Sequence, residues 1–171
     1  MGRLKLYVIE RDYYNYIKEF DDKIIYSDND KNKRPFIGIV LQFEEEMFFA
    51  PLASPKPKHL KMKNSLDFLK INGGELKVIN FNNMIPIPPG SAQEIDINKL
   101  PTKSKGDRDY KNLLIKQISW CNQSENREKI KKKAFNLIDL MIAGKLKKNI
   151  VNRCCNFPLL IKKAKDYKNK E

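Results

Sequence analysis

The first 98 residues consist mainly of short apolar runs separated by polar breaks, a pattern that predicts β-strands. One segment departs from it: Tyr13, Tyr16, Ile17 and Phe20 recur with helical spacing, and Asp12 is placed to cap that helix. The predicted strands lie within 4–10, 36–43, 44–52, 65–71, 75–81, 83–90 and 93–98.

Two pairs of neighbouring strands are expected to form hairpins. The strand at 36–43 and its successor would turn at Glu44–Glu46, whose carboxylates we expect to be solvated. A later pair would turn at Asn72-Gly73, a dipeptide that favours tight turns because both residues tolerate positive φ. These connections predict an antiparallel sheet.

From about residue 107 the apolar positions change to helical spacing. Asp107 is placed to cap a first helix, Gly144 to end a second, and Asn156 to cap a third, whose tail at 165–171 is expected to fray. The apolar face predicted for the second helix consists of Ile130, Ala134, Leu137, Ile138, Met141 and Ile142.

Strands followed by helices predict an α+β fold, in which a small, curved antiparallel sheet or barrel packs against helices. We expect a single domain over residues 1–171, mostly β with one helix over 1–98 and helical over 99–171. The connector at 101–109 is not expected to be a domain boundary, because neither part alone has enough apolar residues for a generous core.

The net charge of +13 comes entirely from the helical part. Residues 1–98 contain 14 basic and 14 acidic residues, whereas residues 99–171 contain 20 and 7, a surplus of 13. Such asymmetry is typical of proteins that bind nucleic acid or an anionic membrane surface. A solvated, lysine-rich surface without a partner explains it equally well, so charge alone leaves the choice open.

No apolar run is long enough to cross a bilayer, and residues 1–10 show no signal-peptide pattern, so we expect a cytoplasmic protein. Cys121, Cys154 and Cys155 are odd in number and lack metal-type spacing, which favours free thiols. With a single histidine, the sequence argues against a zinc site, and no cofactor is predicted.

Familiar catalytic signatures, such as a phosphate-binding glycine loop or a nucleophile elbow, are absent from the sequence. The remaining candidate follows the apolar run 48–53, where Ser54 precedes Lys56, Lys58 and His59. Metal-free RNA cleavage requires that the 2′-hydroxyl lose a proton, the 5′-oxygen gain one, and the phosphoryl charge be stabilised. A hydroxyl and a lysine on a proline-stiffened loop meet these needs.

Each candidate also has a plainer explanation. Ser54 and Lys56 belong to a Ser-Pro-Lys-Pro-Lys segment of a kind common in exposed connectors. Tyr13 shares a helix face with apolar residues and fits a core position, while Lys33 and Arg34 fit the end of a polar loop. A serine–lysine acyl hydrolase is chemically possible, but it would leave the surplus positive charge unexplained.

Six segments, in a fixed order and spread over nearly the whole chain, match one known family. They are YNYIKEFDDK (14–23), FIGIVLQ (36–42), APLASPK (50–56), INFNNMIPIP (79–88), YKNLLIKQI (110–118) and CNFPLL (155–160). On these segments the chain resembles the ToxN/AbiQ family, the endoribonuclease toxins of type III toxin–antitoxin systems, which also includes CptN.

The resemblance implies a compact SH3-like barrel of the Kid/MazF type with added basic C-terminal helices. It implies metal-independent RNA cleavage that leaves a 2′,3′-cyclic phosphate and a 5′-hydroxyl. It also implies an RNA antitoxin, a pseudoknot repeat that binds the toxin directly, usually in a closed ring of alternating protein and RNA. Such systems act in phage defence by abortive infection.

Residue by residue, the resemblance implies that Ser54 orients or relays the 2′-hydroxyl proton. Lys56 and Arg34 would stabilise the phosphorane charge, and Tyr13 would hydrogen-bond or stack near the scissile step. Ala53 stands where the family often has threonine, and Arg34 where lysine occurs elsewhere. Because arginine does not readily give up a proton, charge stabilisation is the role favoured at position 34.

Basic residues near Ser54 and in the helical part are predicted to bind the RNA backbone. They are Lys33, Lys58, His59, Lys61, Lys131, Lys132, Lys133, Lys145, Lys147 and Lys148. A non-catalytic RNA-binding module accounts for the charge equally well and gives Ser54 no special role. A membrane-surface protein fits less well, because the long basic helix has a narrow apolar face.

Overall fold

The computed structural model describes residues 2–24, 36–43, 46–54 and 57–169, with the backbone only for 36–43 and His59. The strands are β1 (Lys5–Ile9), β2 (Phe36–Phe43), β3 (Glu46–Ala53), β4 (Phe68–Lys70), β5 (Val78–Asn80), β6 (Ile85–Ile87) and β7 (Ala92–Glu94). The α-helices are α1 (Arg11–Ile17), α2 (Pro57–Lys61), α3 (Lys105–Cys121), α4 (Ser124–Ile142), α5 (Lys148–Val151) and α6 (Phe157–Lys168). Short 3-10 helices lie at Lys18–Phe20, Ile71–Gly74, Phe81–Asn83 and Ile97–Lys99.

Strand β3 is the centre of an antiparallel sheet with the order β4-β5-β3-β2-β1-β7. β2 runs along one side of β3, and β6 and then β5 pair with the other side. Because β3 has partners on both sides and helices pack on the sheet, it is buried along most of its length. The chain leaves the sheet after Ala53, so Ser54 stands at the end of its most enclosed strand.

The α+β fold and the antiparallel sheet are confirmed, as all the strand pairings among the described residues are antiparallel. β4 and β7 are the two ends of the strand order. Within the described ranges no pairing joins these two ends, so a closed barrel is not observed there.

The predicted helix ends need two corrections. Helix α1 has Glu10 at its N-cap and not Asp12, because the Glu10 carbonyl accepts from the Tyr14 amide while its own amide donates to Ser91 O, so β1 leads directly into the helix. Helix α3 is capped by Ser104 and not Asp107. The two residues form a reciprocal capping box with both bonds at 3.0 Å.

Helix α4 follows the predicted pattern except at its end. Its core side carries the buried residues Ile130, Ala134, Leu137 and Ile138. Ile142, by contrast, is 44% exposed, because it is the last residue of the helix. Gly144 follows with a φ of +67°, as expected for the residue that terminates a helix.

Helix α6 begins as predicted, since Asn156 Oδ1 accepts from the Leu159 amide at 3.2 Å. The prediction that residues 165–171 fray is wrong for 165–168, because these residues continue helix α6, which ends at Lys168. The ring of Tyr167 packs against the rings of Tyr13 and Tyr16, with centroids 5.0 and 4.9 Å apart, and this contact holds the last turn.

Two details of the hairpins also differ from the prediction. β4 and β5 do pair, but through a longer connection than two residues, in which Asn72 and Gly73 adopt the expected positive φ. Glu46 is the first residue of β3 and is buried, so it is not the solvated turn carboxylate that was expected. Glu44 and Glu45 lie outside the described residues.

Candidate active site and nucleic-acid interface

Ser54 is exposed and directly follows the end of β3. The preceding residue, Ala53, pairs with Val78, which in turn pairs with Lys70, so these three residues form a row across β3, β5 and β4. The serine therefore lies at the rim of a three-stranded section whose register is fixed by hydrogen bonds. A hydroxyl in this position is accessible to a large substrate without any opening of the core.

The basic segment after Ser54 forms the short helix α2 where a loop was predicted. Pro57 is its first residue, a position at which proline is tolerated because its missing N–H has no helical partner. Lys58 and Lys61 are exposed on this helix, and His59 belongs to it, although the His59 side chain lies outside the description. Two of the predicted phosphate-binding cations are thus carried on one helical turn close to Ser54.

Lys70 fixes this helix to the sheet. Its ammonium donates to Leu60 O at 3.0 Å, and its backbone amide donates to Asn64 Oδ1 at 2.9 Å. Leu60 also packs against Gly74, where a Cβ would lie 3.1 Å from a Leu60 methyl carbon and the φ is +102°. These contacts hold α2 beside the row that ends at Ala53.

Three of the predicted site residues, Lys33, Arg34 and Lys56, lie outside the described residues. The first described residue after the first two is Phe36, which pairs with Pro51, three residues before Ser54. Among the predicted residues around this loop, the structure therefore describes Ser54 and the exposed lysines of α2.

Tyr13 is fully buried, and its hydroxyl donates to Pro86 O at 2.6 Å. Burial raises the pKa of its phenol well above the ordinary value, and the nearby Glu46 carboxylate adds to the effect. Pro86 in turn pairs with Phe48 on β3. Tyr13 thus occupies the core position considered from the helical spacing, with its hydroxyl bonded to the backbone of β6.

The basic residues predicted in the helical part differ in accessibility. Lys132 is exposed on α4, whereas Lys131 is half-buried. Lys145, Lys147 and Lys148 are exposed around the turn that follows α4. These cations belong to one continuous stretch of chain, which is suited to contact with several phosphates of a polyanion.

Lys133 is half-buried and already has a protein partner, since its ammonium donates to Ser65 O at 2.5 Å. Burial is the main cause of the lowering of its pKa, with a further contribution from Lys129. The contact joins α4 to the segment that leads into β4.

An ion pair near that contact was not predicted. Asp67 precedes β4 and accepts two hydrogen bonds from Arg153, from Nε at 2.5 Å and from Nη2 at 2.8 Å. Asp67 is the single acid within the predicted strand 65–71, and an acid among apolar residues can be noticed in the sequence. Nothing near it in the sequence, however, identifies Arg153, 86 residues away, as its partner. Its position makes it a candidate for organising the basic surface.

Within the described ranges, no group of three or more histidine, cysteine, aspartate or glutamate residues is arranged to bind a metal ion, and no helix is long and apolar enough to span a membrane.

Cys121, Cys154 and Cys155 are free and buried, as predicted for thiols without a disulfide. Burial raises the pKa of each thiol to about 12.

Known proteins resemble this chain over nearly its full length. An endoribonuclease ToxN from Pectobacterium atrosepticum is 36% identical over 172 aligned residues, which cover 96% of this chain and 94% of that protein. A solved structure from a study of selective toxin inhibition by a non-coding RNA pseudoknot in bacterial type III toxin–antitoxin systems has a TM-score of 0.81. It is 29% identical and covers 98% of this chain and 99% of its own.

A third match supports the fold alone. AbiQ, a lactococcal anti-phage endoribonuclease of the type III systems, has a TM-score of 0.79 at 24% identity, with 98% of this chain and 99% of that chain covered. The sequence model of one family, described as toxin ToxN of type III toxin–antitoxin systems, matches residues 5–165. The predicted family is confirmed, and the chain belongs to the ToxN toxin family of type III toxin–antitoxin systems.

Proposed function

We propose that this protein is the endoribonuclease toxin of a type III toxin–antitoxin system. The observation that carries the proposal is the family match over residues 5–165, which spans the exposed Ser54 and the basic helix beside it. A relative that is 36% identical over most of both chains is named an endoribonuclease, so the same class of reaction is proposed here.

The proposed reaction is attack of a ribose 2′-hydroxyl on the adjacent phosphorus. The bond from the 2′-oxygen to phosphorus forms as the bond from phosphorus to the 5′-oxygen breaks. The proton lost by the 2′-hydroxyl and the proton gained by the 5′-oxygen balance, so the products are a 2′,3′-cyclic phosphate and a 5′-hydroxyl. This route needs stabilisation of phosphoryl charge and two proton transfers, and we propose that it proceeds without a metal ion.

Ser54 is proposed to orient the 2′-hydroxyl or relay its proton, because it is the exposed hydroxyl beside the cations of α2. Lys56, two residues further on, and Arg34 are proposed to stabilise the charge on the phosphoryl oxygens. Arg34 precedes Phe36 by two residues, and the pairing of Phe36 with Pro51 supports its inclusion. Tyr13 is left out of this reaction, because its hydroxyl is buried and donates to Pro86 O.

The proposed inhibitor is an RNA antitoxin that binds the toxin directly. The exposed lysines at 132, 145, 147 and 148 support this partner, and a related structure is described with inhibition by a non-coding RNA pseudoknot. We extend the proposal to a closed ring of alternating protein and RNA, to action on cellular or phage RNA in the cytoplasm, and to phage defence by abortive infection. It also includes a single 171-residue domain with a curved, barrel-like sheet of the Kid/MazF type.

The test is cleavage of a 5′-labelled, A-rich RNA by the purified protein in excess EDTA. Ser54→Ala should lower the cleavage rate by roughly 10²- to 10⁴-fold, the usual contribution of a group that assists proton transfer. Ser119→Ala is the matched control, because Ser119 is exposed on α3 and far along the chain from the proposed site. Its rate should equal that of the wild type.

Three results would contradict the proposal in whole or in part. Wild-type protein that binds the RNA but leaves it intact both with and without EDTA would identify a non-catalytic RNA-binding module. Equal cleavage by the Ser54 and Ser119 variants would keep the enzyme class and remove Ser54 from the mechanism. Loss of wild-type cleavage on addition of EDTA would show that the reaction needs a metal ion.

A further inference from the structure

The carboxylate of Asp67 is held from several directions. Its side chain is only 4% exposed, and Ser65 Oγ donates to Oδ1 at 2.7 Å. The Asp67 carbonyl also accepts from the backbone amides of Phe81 and Asn82, at 2.9 and 3.2 Å. A charged group buried in this way is fixed in position before any ligand arrives.

Arg153 is held at both ends. Its guanidinium donates to Asp67 through Nε and Nη2, and its carbonyl accepts from Asn82 Nδ2 at 3.3 Å. A guanidinium has five N–H donors in one plane, and two of them are used here. Among the described residues Nη1 donates to no protein group, and the side chain is 44% exposed. One edge of the fork is therefore bound to Asp67 while the other is open to solvent.

The surroundings of this pair are positive. Lys133 donates to Ser65 O, and Lys129 lies close enough to contribute to lowering the Lys133 pKa. Lys63 is exposed two residues before Ser65. Asp67 is thus a buried acid behind several cations, and the accessible part of the cluster carries positive charge.

We propose that Arg153 binds a phosphate of the RNA backbone and that Asp67 is the residue that positions it. The planar fork of arginine matches phosphate geometry, and a carboxylate that holds one edge of the fork directs the remaining donors outward. The proposal rests on the RNA-binding function proposed above. It adds a cation that the sequence-based set of lysines did not include.

The first test measures how affinity depends on salt. The probe is a mixed-sequence 2′-O-methyl RNA of about 20 nucleotides, which offers no 2′-hydroxyl for cleavage, and binding is followed by fluorescence anisotropy. Arg153→Gln should reduce the slope of log affinity against log salt by about 0.7, the loss of one phosphate contact to a single strand. Its deficit relative to the wild type should shrink by about 2.5-fold between 50 and 200 mM salt.

Lys5→Gln is the matched control for charge. Lys5 also belongs to an ion pair, with Glu94, but that pair lies on β1 and β7, at the opposite end of the strand order from β4. Its slope should equal that of the wild type. All variants are compared at temperatures where circular dichroism shows them folded, so that a loss of stability does not enter the affinity.

Asp67→Asn separates positioning from general electrostatics. It removes a negative charge, so long-range attraction alone would make the RNA bind more tightly. We expect weaker binding instead, because the guanidinium loses its fixed orientation. Glu94→Gln removes the same charge from the control pair and should bind at least as tightly as the wild type. Asp67→Asn added to Arg153→Gln should cause no further loss, since Asp67 acts through Arg153.

A measurement on the wild-type chain, for which a variant serves only to assign the signal, completes the test. The Nε–H resonance of Arg153, assigned by its loss in Arg153→Lys, should shift when the 2′-O-methyl RNA is added. Wild-type protein that does not bind the RNA would overturn the proposed function together with this inference. An unshifted resonance, a wild-type salt slope for Arg153→Gln, or tighter binding by Asp67→Asn would overturn the inference alone.

Discussion

Two ion pairs lie at opposite ends of the strand order, and they have similar distances but different surroundings. Lys5 on β1 and Glu94 on β7 are 2.8 Å apart, and both side chains are about half exposed, at 52% and 50%. Asp67, next to β4, forms two bonds to Arg153 and is 4% exposed. Water competes for the first pair and screens it, whereas the second contains a carboxylate that water barely reaches. The distance between the charged groups therefore does not indicate how much stability is lost when a pair is broken, and the burial of the groups has the larger effect.

The two ion pairs also connect different parts of the chain. The Lys5–Glu94 pair joins two strands that are already hydrogen-bonded to each other. The Asp67–Arg153 pair joins the sheet to the segment between α5 and α6, and Lys133 reinforces the connection from α4. Loss of the second pair should therefore affect how the helical part is held on the sheet.

Arg153→Gln should produce the largest loss of stability. It leaves the Asp67 carboxylate buried without its charged partner, and we expect the free energy of unfolding to fall by about 2–3 kcal/mol. This is less than for a fully buried pair, because the guanidinium is half exposed. Asp67→Asn should cost less, about 1–2 kcal/mol, since the released guanidinium can be solvated. Urea unfolding measures both, and a larger loss for Asp67→Asn would contradict the assignment of the buried partner.

The same pair should give stability a defined pH dependence. Burial acts to raise the pKa of Asp67, but hydrogen bonds from Arg153 and Ser65 outweigh it and hold the pKa below its ordinary value of 3.8. A carboxyl with a lowered pKa in the folded state stabilises the protein above its unfolded pKa, and this stabilisation is lost as pH falls through the folded pKa. The stability difference between wild type and Asp67→Asn should therefore be full near pH 7 and shrink below about pH 4.

Urea unfolding at a series of pH values checks this expectation. The serine that also donates to the carboxylate offers a companion variant, Ser65→Ala, which removes one of the bonds that lower the folded-state pKa. The loss should then be complete at a higher pH and be smaller in total, because the folded-state pKa lies closer to the unfolded one. A difference between wild type and Asp67→Asn that grew on acidification would have the wrong sign for a carboxyl with a lowered pKa.

Local patterns predicted much of the fold, because they depend on residues close in sequence. The apolar run of β3, the buried face of α4 and the Asn156 cap could all be predicted from short windows of the sequence. Helix α2 could not, because five residues are too few for a helical period to show. The prediction missed the caps at Glu10 and Ser104 because an aspartate, a favoured N-cap residue, stands two or three residues further on.

The candidate site was predictable to a similar extent. The end of the apolar run marked Ser54 as the point where the chain leaves the sheet, and this position is observed. Helical spacing placed Tyr13 in the core, whereas the family resemblance placed it near the reaction, and the buried hydroxyl agrees with the spacing. The Asp67–Arg153 pair depends on tertiary packing between distant segments, which no window of the sequence contains.

A smaller effect is expected at the β1 end, where an amide side chain contributes more than the ion pair. Asn122 Oδ1 accepts from the Leu4 amide at 2.8 Å, and its Nδ2 donates to the Leu4 carbonyl at 2.9 Å. The side chain thus satisfies both backbone groups just before β1 begins. Asn122→Ala should lower the free energy of unfolding by about 1–2 kcal/mol, and hydrogen exchange should become faster at the Leu4 amide. Unchanged exchange at this amide would show that the bond is not maintained in solution.

Glu94→Gln should have the smallest effect, and it tests the comparison most directly. The carboxylate and its lysine partner are both half exposed, so water can replace each of them in the pair. We expect a melting temperature indistinguishable from that of the wild type, both at low salt and at about 1 M salt, where exposed pairs are screened. A loss as large as that of Asp67→Asn would mean that distance, and not burial, sets the strength of the pairs at the two ends of this sheet.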